Sequence, residues 1–189
     1  MKRTLVITCA MLLGAGLASA QITNTSTPAL AITDNECSVP TFNTDTIAFT
    51  EAGTISDVNI RVAMTHTWRG DIEFYVDYSV GGGPVVLVAP TGHDGSADNY
   101  YATFDDAAGT ACSDATMCGA AGTACEGPAP GVTCMGDQLL SAFNGQTSPG
   151  TWTIYVCDDA GGDVGTLDEW AVTLDGPGLP VELMSFQVN

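Results

Sequence analysis

Between residues 58 and 78 the chain beats with a period of two. Val58, Ile60, Val62, Met64 and Trp68, with His66 in the same series, alternate with mostly polar neighbours, and after Arg69-Gly70 the series resumes at Ile72, Phe74, Val76 and Tyr78. Such alternation fits strands with one face buried and one face wet, and no helix can sustain it. It returns in Trp152, Ile154 and Val156 and again in Trp170, Val172 and Leu174, while "GGGPVVLVAP" supplies a turn and an apolar strand over residues 85–89. No window has a helical period, and Gly, Pro and Asn turns punctuate the rest. An all-β sandwich is expected.

The ends read differently. Lys2 and Arg3 precede an apolar run over residues 5–17 that closes on Ala18-Ser19-Ala20, the pattern of a secretory signal peptide over residues 1–20. Residues 21–44, rich in Thr, Asn, Ser and Pro, read as an extended N-terminal strap, and the domain proper as residues 45–176. Within it, residues 105–137 carry Gly, Ala, Thr, Asp and Cys but little large enough to fill a core, and read as a disulfide-rich surface insertion. Residues 177–189 form a C-terminal tail. No second apolar stretch reaches the length of a membrane span, so an exported, extracellular protein is expected.

Charge narrows the partners. The chain holds 22 Asp and Glu against four Lys and Arg, a formal net charge of −18. Two of the four bases lie in the signal, leaving Arg61 and Arg69. Nucleic acids and anionic membranes both require clustered bases, so neither is an expected partner. Cations are the natural counterpart, although most scattered acids need only be a solvated surface.

Apart from Cys9 in the signal, six cysteines remain: Cys37, Cys112, Cys118, Cys125, Cys134 and Cys157. An even number in an exported chain points to disulfides, and six allow 15 connectivities. Pairing neighbours, Cys112 with Cys118 and Cys125 with Cys134, would leave Cys37 for Cys157. Cys157 has the opposite parity to Trp152, Ile154 and Val156, so that bond would hold the N-terminal strap across the outer face of the sandwich. It would close a long loop and contribute about 4 kcal/mol in the chain-entropy account.

Catalytic patterns are weak. Of the two histidines, His66 shares the face of Val62 and Met64 and reads as a hydrogen-bonded residue at the edge of the core, while His93 lies in a loop. No serine sits in a nucleophile elbow, and the tryptophans fit strand cores better than sugar platforms. The turn "CDDAGGDVGTLDEW" is more informative. Calcium takes six to eight oxygens, and glycines let backbone carbonyls join carboxylates around one ion. Asp158, Asp159 and Asp163 are therefore the candidate calcium ligands, with Asp71 either joining them or pairing with Arg69, and Asp57 a further candidate. The spacing is not that of an EF-hand. Asp168 and Glu169, at the start of the next strand, read as structural.

Taken together, Asp57-Val58, His66-Thr67-Trp68, Arg69-Gly70-Asp71, Phe143 with Gly145, Gly150-Thr151-Trp152, the acids of residues 158–163, Gly165 with Leu167, and Trp170 closely resemble the P domain, or Homo B domain, of subtilisin-like proprotein convertases. The resemblance implies a jelly-roll-like β-sandwich that normally follows a serine protease domain and stabilises it, in bacterial examples often with bound calcium. The cysteine-rich insertion departs from the usual pattern, and no catalytic domain is present in the sequence. What is expected is thus a secreted, non-catalytic domain that binds calcium and serves a secreted serine protease or another surface protein. The alternative is an adhesive, self-assembling extracellular sandwich whose open edge strand pairs with a neighbour; a hydrolase using acids alone ranks last. The tail "GLPVELMSFQVN" resembles the opening of C-terminal sorting regions in secreted bacterial proteins.

Overall fold

A computed structural model describes residues 19–37, 42–89, 97–113, 124–125 and 131–180. In chain order the strands are β1 (Ser19–Ser26), β2 (Leu30–Ile32), β3 (Asn43–Phe49), β4 (Asp57–His66), β5 (Ile72–Tyr78), β6 (Val85–Val88), β7 (Tyr100–Phe104), β8 (Val132–Cys134), β9 (Gly150–Asp158) and β10 (Gly165–Pro177). They form two sheets. One runs β1-β10-β4-β7-β8, with β2 also on β10, and the other runs β3-β9-β5-β6. The alternation over residues 58–78 thus spans both sheets: β4 lies in the first, β5 in the second, and a 3-10 turn at Arg69–Asp71 carries the chain between them.

The core lies where the predicted faces meet. Val58, Ile60, Val62 and Met64 of β4 and Trp170, Val172 and Leu174 of β10 oppose Phe74 and Val76 of β5 and Trp152, Ile154 and Val156 of β9, and all are at most 1% exposed. Trp152 stacks on Tyr78 with ring centroids 4.5 Å apart and meets Phe143 edge-on at 4.7 Å. Trp170 in the first sheet donates its indole N–H to Asp45 of β3 in the second at 2.7 Å, so the buried ring finds its polar partner across the sandwich.

The N-terminal stretch is extended, as expected, but it is woven into the sheets rather than laid over them. β1 pairs with the second half of β10, from Ser19 opposite Pro177 to Ser26 opposite Trp170, while β2 pairs with its beginning. β3 forms the edge of the second sheet against β9. The cysteine-rich stretch also contributes structure, because β8 pairs in parallel with β7 and extends the first sheet.

The disulfides follow this topology. Cys37 bonds Cys157, the pair that neighbour pairing of the other four would leave. Local pairing fails elsewhere: Cys112 bonds Cys134, in place of the expected Cys112–Cys118 and Cys125–Cys134 bonds. The parallel β7–β8 pairing is the reason, since it brings residue 134 beside Phe104 and the segment that follows it. Both cysteines of this bond join the apolar core. Cys125 is disulfide-bonded too, whereas Cys118, His93, residues 1–18 of the expected signal peptide and residues 181–189 of the tail lie outside the described residues.

An acidic turn braced by a buried histidine

β9 ends at Asp158 and β10 begins at Gly165, so the glycine-rich turn sits where one sheet hands the chain to the other. The end of β4, the 3-10 turn at Arg69–Asp71 and the turn at Asp34 converge on the same place. Asp158 is fully buried. One of its oxygens lies 3.2 Å from His66 Nε2 and the other accepts from the Ala160 N–H at 3.1 Å. The opposite ring nitrogen of His66 lies 2.8 Å from the Trp68 carbonyl. Both nitrogens of this buried ring are thereby engaged, and the pair acts as a brace between β4 and β9.

Space around the ring explains a glycine. A Cβ on Gly165 would come within 2.1 Å of His66 Cδ2 and 2.7 Å of the Thr65 carbonyl. Only glycine lets β10 pass this close to the histidine.

The remaining acids rim the turn. Thr67 donates its hydroxyl to Asp163 at 2.8 Å and accepts from the Val164 N–H at 3.1 Å. Asp34 accepts from the Gly162 N–H at 3.1 Å, and the Asp159 N–H donates to the Asp71 carbonyl at 2.9 Å. Burial pushes the Asp71 carboxyl above its ordinary range, and the charges of Asp158, Asp159 and Asp163 push it further. Asp71 therefore belongs with the acidic turn. Asp158 is raised as well, chiefly by burial, against the opposing pull of the Ala160 N–H and His66.

Asp57 is placed elsewhere. It opens β4, ten residues long, whose other end carries His66, and at ordinary strand rise that separates the two by about 30 Å. Its neighbours are Asp105, Asp175 and Asp106, which with burial raise its carboxyl in a second acidic cluster at the far end of the sandwich. The structure thus gathers Asp71, Asp158, Asp159 and Asp163, leaves Asp57 out, and adds Asp34 and Thr67, which the sequence reading did not name as site residues. Asp34 left a signal in the turn-forming Asp34-Asn35 pair; Thr67 left one only as part of the His66-Thr67-Trp68 motif.

Asp168 and Glu169 have structural partners. Asp168 accepts from the Thr65 N–H at 2.9 Å, at a bulge in the β4–β10 pairing, and Glu169 forms an ion pair with Arg61.

As a metal centre the turn offers only oxygen donors, the hard ligands that calcium prefers. It is open. Among the described residues, the one set of three or more His, Cys, Asp or Glu side chains whose ligand atoms lie within 4.8 Å of one another is Cys37, Glu73 and Cys157. Two of those sulfurs are tied up in a disulfide, so that set is no thiolate site.

The proprotein convertase P-domain pattern matches residues 55–174, and the chain belongs to that family, whose domains are non-catalytic. The match takes in His66, the Arg69–Asp71 turn and the whole acidic turn, and leaves out β1 to β3. Among solved structures, the serine protease of Aeromonas sobria in complex with the chaperone is 17% identical with a TM-score of 0.53, over 85% of this chain and 27% of the matched one. The Aeromonas sobria serine protease by itself gives 17% identity and a TM-score of 0.50, over 84% and 27%. This chain spans about a quarter of those chains, and the likeness speaks for the fold. No match was found among the curated proteins.

Proposed function

We propose that the protein is a secreted, non-catalytic P domain that binds calcium at the acidic turn and stabilises, or docks onto, a subtilisin-like serine endopeptidase or another extracellular partner. The family match over residues 55–174 carries the protease association. The calcium reading rests on the convergence of Asp71, Asp158, Asp159 and Asp163, where burial first and then the charges of the other three raise Asp71. A divalent cation relieves that repulsion. Asp158 is held by His66 and Ala160 and anchors the turn, leaving Asp71, Asp159 and Asp163, with Asp34 beside them, to supply oxygens.

Thermal unfolding in chelator against millimolar calcium tests the site. A ligand that binds only the folded state adds about 2.7 kcal/mol at a hundred times its Kd. The melting temperature should rise by several degrees in wild type and much less in Asp71→Asn and Asp163→Asn. An equal rise with magnesium, or no rise at all, overturns the calcium reading. The protease association is tested separately, by co-elution with a subtilisin-like protease that lacks a P domain of its own and by that protease's half-life with and without the protein.

A further inference from the structure

The outer face of the β3-β9-β5-β6 sheet lies on the opposite side of β9 from the core. Tyr155 of β9 is directly opposite Tyr75 of β5 on one side and Thr44 of β3 on the other. Phe42, just before β3, packs edge-on to both tyrosines, with ring centroids 5.4 Å from Tyr75 and 6.3 Å from Tyr155. These three half-buried rings line a groove of about 600 Å³ that also takes in Asp77, Pro84 and Cys37 of the Cys37–Cys157 bond. The core does not require such an array. Three aromatic rings on a sheet's solvent side are a surface prepared for contact.

We propose that this groove docks an arginine side chain presented by a partner protein. Aromatic faces attract cations through their quadrupole, and a planar guanidinium also stacks on them. The acid is in place. Asp77 lies beside Tyr75 on the same outward face and lines the groove, with one oxygen accepting from the Tyr78 N–H at 2.8 Å. The rings are held in position beforehand: Phe42 sits edge-on to both, and the Tyr75 hydroxyl donates to Glu73, whose side chain is buried next to the Cys37–Cys157 bond. Burial together with Glu73 pushes the Tyr75 phenol up to about 12, so it stays a neutral donor.

Charge selects the occupant. β3, β5, β6 and β9 contain no Lys or Arg, while Asp77 lines the groove and the buried Glu73 is hydrogen-bonded to Tyr75 of its lining. A second copy of the chain is a poor donor, because among the described residues Arg61 is paired with Glu169 and Arg69 is 1% exposed. The guanidinium is therefore assigned to another protein. This assignment rests on the reading of the chain as a docking module, and it adds where the partner sits and what that partner must present.

The test uses a probe peptide and no protease, so its failure is distinct from failure of the protease association. The isotope-labelled protein is titrated by amide NMR with acetyl-Gly-Arg-Gly-amide, with its citrulline counterpart, and with cellobiose. Saturable shifts are expected at Thr44, Tyr75, Asp77 and Tyr155, with millimolar affinity as befits one side chain. Citrulline keeps the shape but lacks the charge, and should bind at least about fivefold more weakly, as should Tyr155→Ala and Asp77→Asn with the arginine peptide. Asp77→Asn preserves shape and keeps the test decisive if Tyr155→Ala does not fold. Absence of saturable shifts, equal shifts with citrulline, shifts confined to the acidic turn, or binding of cellobiose alone would each overturn the proposal.

Discussion

At the scale of single residues, the most demanding position is Gly165. The ring of His66 lies where its Cβ would be, and the Thr65 carbonyl closes the other side. His66 cannot give way freely, because it is 2% exposed and held by Asp158 and the Trp68 carbonyl. Gly165→Ala must therefore displace either the brace or the start of β10. Overpacking of this kind costs about 1–3 kcal/mol, or a fall in melting temperature of roughly 3–10 °C in a domain of this size. Thermal unfolding reads it, and an unchanged melting temperature would mean that the ring has room to move. Of this arrangement the sequence revealed the histidine's hydrogen-bonded, half-core character from its parity with Val62 and Met64. It could not reveal the partner, because Asp158 lies 92 positions along the chain.

At the scale of elements, legibility follows burial. β4, β5, β9 and β10 could be read because each places several large apolar side chains on one face. β1 could not: its eight residues bury Ala20 and Ile22 and are otherwise mostly polar, so a sheet edge looks like a leader. β8 escaped for another reason, since its three residues owe their place to a parallel partner about thirty positions earlier. The misassigned Cys112 bond is the same error seen through sulfur. The Asp57 misplacement is also one of elements, since nothing in the strand's residue pattern says which end of β4 faces the acidic turn.

The Cys37–Cys157 bond was expected only as the remainder of a neighbour pairing that the structure does not keep, yet it forms, and it supports a sharp expectation. It joins the segment between β2 and β3 to the penultimate residue of β9, across a separation of 120 residues. Replacing both cysteines by Ala frees that loop in the unfolded chain, at a cost of about 4–5 kcal/mol in the chain-entropy account. The same change loosens the wall of the aromatic groove and the Glu36 N–H to Asp158 carbonyl bond at 2.8 Å, one residue away on each side of the link. Denaturant unfolding should show the midpoint fall sharply. Retention of the wild-type midpoint would mean that the β3–β9 pairing holds the segment without the bond.

At the scale of the whole molecule, the dominant quantity is a net charge of −18, and some of its acids crowd at two ends of one sandwich. Asp71 and Asp158 are crowded at one end and Asp57 at the other, and all three carboxyls are raised above their ordinary range, with burial the first cause in each. A raised carboxyl favours the folded state while it is protonated, and that advantage is lost as pH climbs from the ordinary aspartate range through the raised value. In chelator, these groups should therefore make the protein less stable on going from mildly acidic to neutral pH, the reverse of the usual carboxylate behaviour. Salt screens surface repulsion over about 10 Å at 0.1 M and less at higher concentration, so sodium chloride should recover part of the loss at neutral pH. Calcium should act more strongly than equal ionic strength, and only through the acidic turn. Asp57→Asn separates the two ends: it should raise the melting temperature at neutral pH by a degree or two, in keeping with the roughly 0.2–1 kcal/mol of an exposed charge contact. That gain should vanish in mild acid and leave the calcium response intact. If the variant abolished the calcium response instead, the ion would belong to the far cluster with Asp105 and Asp175, and the acidic turn would be a purely structural brace.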